Sequence, residues 1–132
     1  MIGLWGAHAQ TYLLTVTIAT TLIAALPIFL APLKVARSLG WRMPDNTDLA
    51  LYYGRCLGAF VLILEVLWLH ASITGDDLWL AFETAAAASG LMVLVHIVGA
   101  VQKVQPLSET IEIGIYGALF SLTLLFWPPV QL

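Results

Sequence analysis

Few side chains here can carry a charge or a proton in an otherwise apolar sequence, and Glu65 stands out among them. It lies in FVLILEVLWLH, residues 60–70, with no other ionisable side chain before His70. A carboxylate in hydrocarbon costs about 3 kcal/mol on insertion scales. It must therefore face other helices, and either find a partner there or take up a proton. The hydroxyls expected at its depth are Thr20, Thr21, Ser89, Ser121 and Tyr116, and no cation is expected there. Two readings follow: a site for a proton or a polar substrate, or a protonated side chain donating one interhelical hydrogen bond.

A second group, His96, Lys34, Arg55 and Glu112, falls near the ends of apolar runs. Together they could form a polar mouth for a quinone or another lipid-soluble ligand, which needs an apolar slot and one or two donors. They could equally be interfacial anchors and snorkelling cations. His70 and Glu83 flank the ITGDD turn at 73–77 and are expected to meet as an interfacial pair. Two ligands are too few for a metal site, so no metal is expected. His96 and His70 belong near opposite membrane faces, which argues against their sharing one haem iron; His8 with His70 is geometrically open, but His8 precedes the first span, and haem is not expected. Cys56 is the only cysteine, so no intrachain disulfide and no thiolate metal site are expected. There is no phosphate loop, HExxH, nucleophile elbow or GxGxxG. No catalytic residue, and no catalytic activity of its own, is expected.

The elements that must position these groups are apolar. Of 132 residues, 61% are hydrophobic and 10% charged, against about 45–50% and 25% in soluble domains. Mean hydropathy is +0.94. A soluble chain of this size could not hide so much apolar surface, so lipid is the expected solvent. Net charge is −3 without a basic block, which argues against a nucleic-acid partner. The opening MIGLWGAHAQTYLL has no basic n-region, so no cleavable signal peptide is expected.

A membrane-crossing helix needs about 20 mainly apolar residues. Four stretches qualify, at about 11–33, 53–72, 78–101 and 109–127. The expected fold is all-α, a single integral membrane four-helix bundle. Residues 34–52 form the one long loop, with Asp45 or Asp48 placed to cap a short helix leading into the second span. ITGDD closes a hairpin, and Ser108 is placed to cap the fourth span. Lys34, Arg37, Arg42, Arg55 and Lys103 all fall on one side, which the positive-inside rule makes cytoplasmic. Both termini then face outward. Trp5, Trp41, Trp68, Trp79 and Trp127 fall near span ends, as interfacial anchors do. Pro27 is expected to kink the first span. Gly58, Gly99, Gly114, Gly117 and the AAAASG run at 85–90 are expected to let helices pack closely.

The order of features resembles DoxX-like membrane proteins over about residues 20–127. PIFLAPLKVARSLGW at 27–41 is similar to the end of the family's first helix and its loop, with Lys34 as the loop lysine. GRCLGAFVLILEVLWL at 54–69 is similar to the second helix, where Leu57 and Gly58 are followed by Glu65. ETAAAASGLMVLVHIVGAVQKVQ resembles the small-residue-rich third helix, and LLFW closes the fourth. Pro32 stands where the family usually has glycine. The resemblance implies a compact four-helix bundle, and some relatives look like subunits of quinone-linked or redox membrane assemblies.

The expected role is an accessory subunit of a larger complex in a bacterial inner membrane, surrounded by lipid and by other subunits or further copies of itself. The alternatives are a small proton-coupled transporter using Glu65, and a redox component binding a quinone or lipid.

Overall fold

The computed structural model describes residues 2–129, and its regular elements are all helices. In chain order they are α1 (Gly6–Leu30), α2 (Pro32–Ser38), α3 (Asp48–Thr74), α4 (Leu78–Gln102) and α5 (Leu107–Leu125). Three of them, α1, α3 and α4, have 25, 27 and 25 residues and are long and apolar enough to cross a membrane. At about 1.5 Å per residue each exceeds the ~30 Å hydrocarbon layer. The expected fourth span corresponds to α5, which has 19 residues and carries Glu109 and Glu112 in its opening turns. It is not among the three.

Local chemistry explains the boundaries. α3 starts where Asn46 Oδ1 accepts the Asp48 N–H at 2.9 Å; the N-cap Thr47 makes no side-chain bond. One continuous helix replaces the expected short lead-in helix, and neither Asp45 nor Asp48 caps it. α3 ends at Gly75, whose φ of 82° is left-handed and open to glycine without strain. Its N–H bonds the Ala71 carbonyl at 2.9 Å. Ser108 caps nothing: it lies inside α5 and donates to the Leu39 carbonyl, tying the α2–α3 loop to that helix.

Pro27 does not break α1. A π-helical stretch at Thr21–Ala25 precedes it, with the Leu26 N–H reaching back five residues to the Thr21 carbonyl. The break comes at Ala31, with φ −143° and ψ 56°. It precedes Pro32, and the residue before proline is driven out of the helical region.

Helix α1 packs along α3, and α4 along α5. On the first seam, a Cβ on Gly58 would fall 2.5 Å from the Phe29 nitrogen, so only glycine permits the approach. The core lies toward the end that bears the termini, built from Ala9, Leu13, Trp68, Ala71, Ala81 and Phe82. Phe82 is fully buried between Tyr12 and Trp127, with ring centroids 5.9 and 6.0 Å away. Tyr12 stacks on Phe126 at 4.6 Å, and its hydroxyl is 2.9 Å from Thr123 Oγ1. Trp68, expected at the interface, is instead buried and donates Nε1–H to Thr84 at 2.9 Å. The N-terminal segment is tied to α5 by Gly3 N–H to Leu124 O and Trp5 N–H to Leu125 O, both 2.9 Å.

The outer surface is apolar. Ile23, Phe60 and Val101 are 78%, 70% and 76% exposed and belong to the three long helices. Side chains of this size on every flank are compatible with an integral membrane protein.

Candidate functional site

The end opposite the termini carries the α2–α3 loop and the α4–α5 link. There α4 and α5 bring His96, Glu109 and Glu112 together. The link is short because Lys103 turns the chain in the left-handed region, with φ 56°. Gln105 then folds back, donating to the His96 carbonyl at 3.0 Å and to Thr110 Oγ1 at 3.1 Å. It fills the space that a side chain at Gly99 would need. α5 therefore runs back beside α4, and Glu109 and Glu112, three residues apart, share the face toward it.

His96 is 3% exposed. Its Nδ1 lies 2.6 Å from the Met92 carbonyl. A carbonyl only accepts, so Nδ1 carries a hydrogen and donates. Nε2 points at two carboxylates, 3.1 Å from Glu109 Oε2 and 3.5 Å from Glu112 Oε2. The other oxygen of Glu109 accepts the Trp41 indole N–H at 2.7 Å, from the α2–α3 loop. Tyr116, one turn beyond Glu112, lays its ring 5.2 Å from the imidazole. The three ligand atoms lie within 4.8 Å of one another. Chemically this is a buried imidazole facing two carboxylates, a set that can hold a cation or exchange a proton.

Glu65 occupies a separate place on α3. It is 3% exposed. The Thr20 and Thr21 hydroxyls of α1 lie beside its carboxyl, at the start of the π-helical stretch. Its Oε2 has no hydrogen-bond partner, and neither does the buried Thr17 hydroxyl one turn earlier on α1. Of the other expected partners, Ser89 and Ser121 donate to carbonyls of their own helices, and Tyr116 sits against His96.

Of the four residues expected at the polar mouth, the structure brings together His96 and Glu112. Lys34, on α2, and Arg55, on α3, are exposed, and neither forms an ion pair among the described residues. The expected His70–Glu83 pair is not made: both side chains are exposed, and no hydrogen bond or ion pair joins them among the described residues. Sequence reasoning missed Glu109, Trp41 and Gln105 as parts of a site. The i, i+3 spacing of Glu109 and Glu112 was a readable signal, while Trp41 lies 68 residues from Glu109 and gave none.

The described residues are thus all-helical, with three helices of membrane-crossing length and apolarity and, at one end, a His–Glu–Glu cluster around a buried imidazole. Comparison with family models, with curated proteins and with solved structures gives no match.

Proposed function

We propose that this chain is a small four-span integral membrane protein that serves as a non-catalytic subunit of a larger membrane assembly. α5 is the fourth span in this reading. The five Lys/Arg residues lie on α2, the α2–α3 loop, the start of α3 and the α4–α5 link. That distribution supports a cytoplasmic location for this end and termini outside; a bacterial inner membrane is the setting we propose. The DoxX-like order of features supports the same topology.

One observation carries the subunit reading. Gly6, Gly54, Gly58, Gly90 and Gly99 each sit against atoms of another segment of the chain, whereas Gly114 and Gly117 have nothing within 4 Å of where a Cβ would stand. Glycine inside a helix costs about 1 kcal/mol relative to alanine. On α5 that cost has no return within the chain. With exposed Ala118 and Ser121 the two glycines make a small-residue face. Gly117 and Ser121 also border an apolar groove of about 590 Å³, walled by Ala86, Gly90 and Phe120. A transmembrane helix of another subunit fits such a face, because small residues let backbones approach and van der Waals contact drives association in lipid. The test is gentle detergent extraction followed by native mass measurement. The parent should be recovered in a complex, and Gly117→Leu should release it with its helical content unchanged. Recovery of the parent only as a monomer, at several expression levels, counts against the reading.

A second reading, proton-coupled transport, is favoured by the buried and incompletely partnered Glu65 carboxylate. Glu65→Gln in proteoliposomes separates the two: unchanged proton-coupled flux excludes a transport role for this side chain. The quinone reading has weaker support, since Lys34 and Arg55 stand apart from His96 and Glu112.

A further inference from the structure

We propose that His96, Glu109 and Glu112 form a binding site for a first-row divalent transition metal ion of the Zn²⁺ or Mn²⁺ kind. The inference is independent of the subunit reading. It rests on the donor set, its orientation and its charge.

Donor spacing comes first. Two ligand atoms about 2.1 Å from one ion, at tetrahedral or octahedral angles, lie about 3.0–3.4 Å apart. The imidazole Nε2 is 3.1 Å from Glu109 Oε2 and 3.5 Å from Glu112 Oε2. Both distances from the imidazole thus suit a shared ion, and the two carboxylate oxygens, within 4.8 Å of each other, would be drawn together as it binds.

Orientation points the same way. Metal-binding histidines characteristically donate their second ring N–H to a carbonyl or carboxylate, which fixes the tautomer and aims the free nitrogen at the ion. His96 does this through Nδ1 to the Met92 carbonyl, a partner outside the cluster. Glu109 is held in the same manner: Trp41 takes Oε1 and leaves Oε2 to face the imidazole. Each of these two ligands thus has an outer partner that leaves its inner atom free.

Charge supplies the third argument. Two carboxylates converge on one nitrogen that can offer them at most one hydrogen. No Lys or Arg pairs with either carboxylate among the described residues. Burial of His96 makes the mutual repulsion of the two acids costly. A dication neutralises both at once. One nitrogen and two oxygens suit borderline ions of the first transition row. Ca²⁺ asks for six to eight oxygens, and Mg²⁺ for a nearly complete oxygen octahedron. Three protein ligands leave positions open for water or a further ligand. The side chain of Glu112, 24% exposed, gives an approach from the surface.

The experiment uses the full-length protein in detergent or nanodiscs, stripped with a chelator and titrated separately with Zn²⁺, Mn²⁺ and Ca²⁺. Calorimetry reads affinity, and elemental mass spectrometry reads stoichiometry. The expected result is one transition-metal ion per chain, with Ca²⁺ far weaker. Glu112→Gln should abolish the binding; its partial exposure makes it the variant best able to keep the fold, which circular dichroism checks. Trp41→Phe should weaken binding about tenfold, as loss of an outer partner does. Absence of saturable Zn²⁺ or Mn²⁺ binding overturns the proposal. Unchanged affinity in a folded Glu112→Gln protein overturns it too, as does a preference for Ca²⁺.

Discussion

The same substitution, glycine to alanine, should act unequally on the two faces of this molecule. At Gly58 the new Cβ would stand 2.5 Å from the Phe29 nitrogen and 2.6 Å from its Cα, where ordinary contact begins at 3.4 Å. The deficit is about 0.9 Å, and the opposing atoms are backbone, so no rotamer change relieves it. α1 and α3 must part. A gap of 0.5–1 Å removes about a quarter to a half of each dispersion contact, and each contact is worth about 0.1–0.2 kcal/mol. Over roughly twenty contacts along the seam the loss is about 0.5–2 kcal/mol, which overlaps the usual range for overpacking. At Gly117 no atom lies within 4 Å, so alanine costs nothing sterically in the isolated chain and gains up to about 1 kcal/mol of helix propensity. The assay is reversible unfolding of each variant in mixed micelles, followed by circular dichroism. Gly58→Ala gains the same propensity and loses the seam contacts, so it should be less stable than Gly117→Ala by about 0.5–2 kcal/mol, and Gly117→Ala should be neutral or stabilised relative to the parent. A Gly58→Ala protein as stable as the Gly117→Ala protein would refute the packing argument. A Gly117→Ala chain destabilised as a monomer would remove the ground for assigning that face to a partner.

The aromatic core offers further checks by the same unfolding measurement. Phe82→Ala removes a fully buried ring between Tyr12 and Trp127, and should cost about 3–4 kcal/mol. On the proposed membrane reading, the cavity and the lost contacts make up most of that figure, since an inserted but unfolded helix also leaves the ring in hydrocarbon. Tyr12→Phe keeps the stack on Phe126 and loses the hydroxyl contact with Thr123. Thr123 retains its bond to the Leu119 carbonyl, so the loss should be only about 1 kcal/mol. Trp41→Phe removes a partly exposed donor to Glu109 and should change stability by less than about 1 kcal/mol, while loosening the α2–α3 loop in amide exchange.

Hydropathy made the apolar centres of the helices legible and left their ends obscure. The expected 53–72 lies inside Asp48–Thr74; the extra first turn and a half, DLALY, is mainly apolar but follows the turn residues PDN, which mark a loop without marking where it ends. The start of α1 at Gly6 depends on backbone bonds from Gly3 and Trp5 to the last turn of α5, which no local pattern announces. The Gly75 turn was readable because its chemistry is local. The role of Ser108 was not, because its bond goes to Leu39, 69 residues away. The same division holds at the candidate site. His96 and Glu112 were visible as polar residues near helix ends. Their meeting depends on the rotation of α5 about its axis, which Gln105 and Lys103 set through the link. Lys34 and Arg55 shared a depth with them but not a helix face, and depth alone does not make a contact.

The π-helical stretch raises the last question of cause. Pro27 lacks the N–H that would reach the Ile23 carbonyl, so the proline alone could explain the irregularity. The burial pattern gives a different reason. Leu13, Thr17 and Ala25 are 1%, 2% and 0% exposed. Eight residues of regular helix, from Thr17 to Ala25, would turn them about 80° apart. The one-residue excess of a π turn removes most of that angle and returns both to the side facing α3. It also keeps Thr20 and Thr21 beside Glu65. On this reasoning Pro27→Ala should leave the stretch in place, because a regular helix would pull either Ala25 or the Leu13–Thr17 turn out of contact. Cysteine accessibility tests it: Ala25→Cys should stay unreactive toward a maleimide with proline or alanine at 27. Rapid labelling only in the Pro27→Ala background would show that the proline, and not the packing against α3, holds α1 in its present rotation.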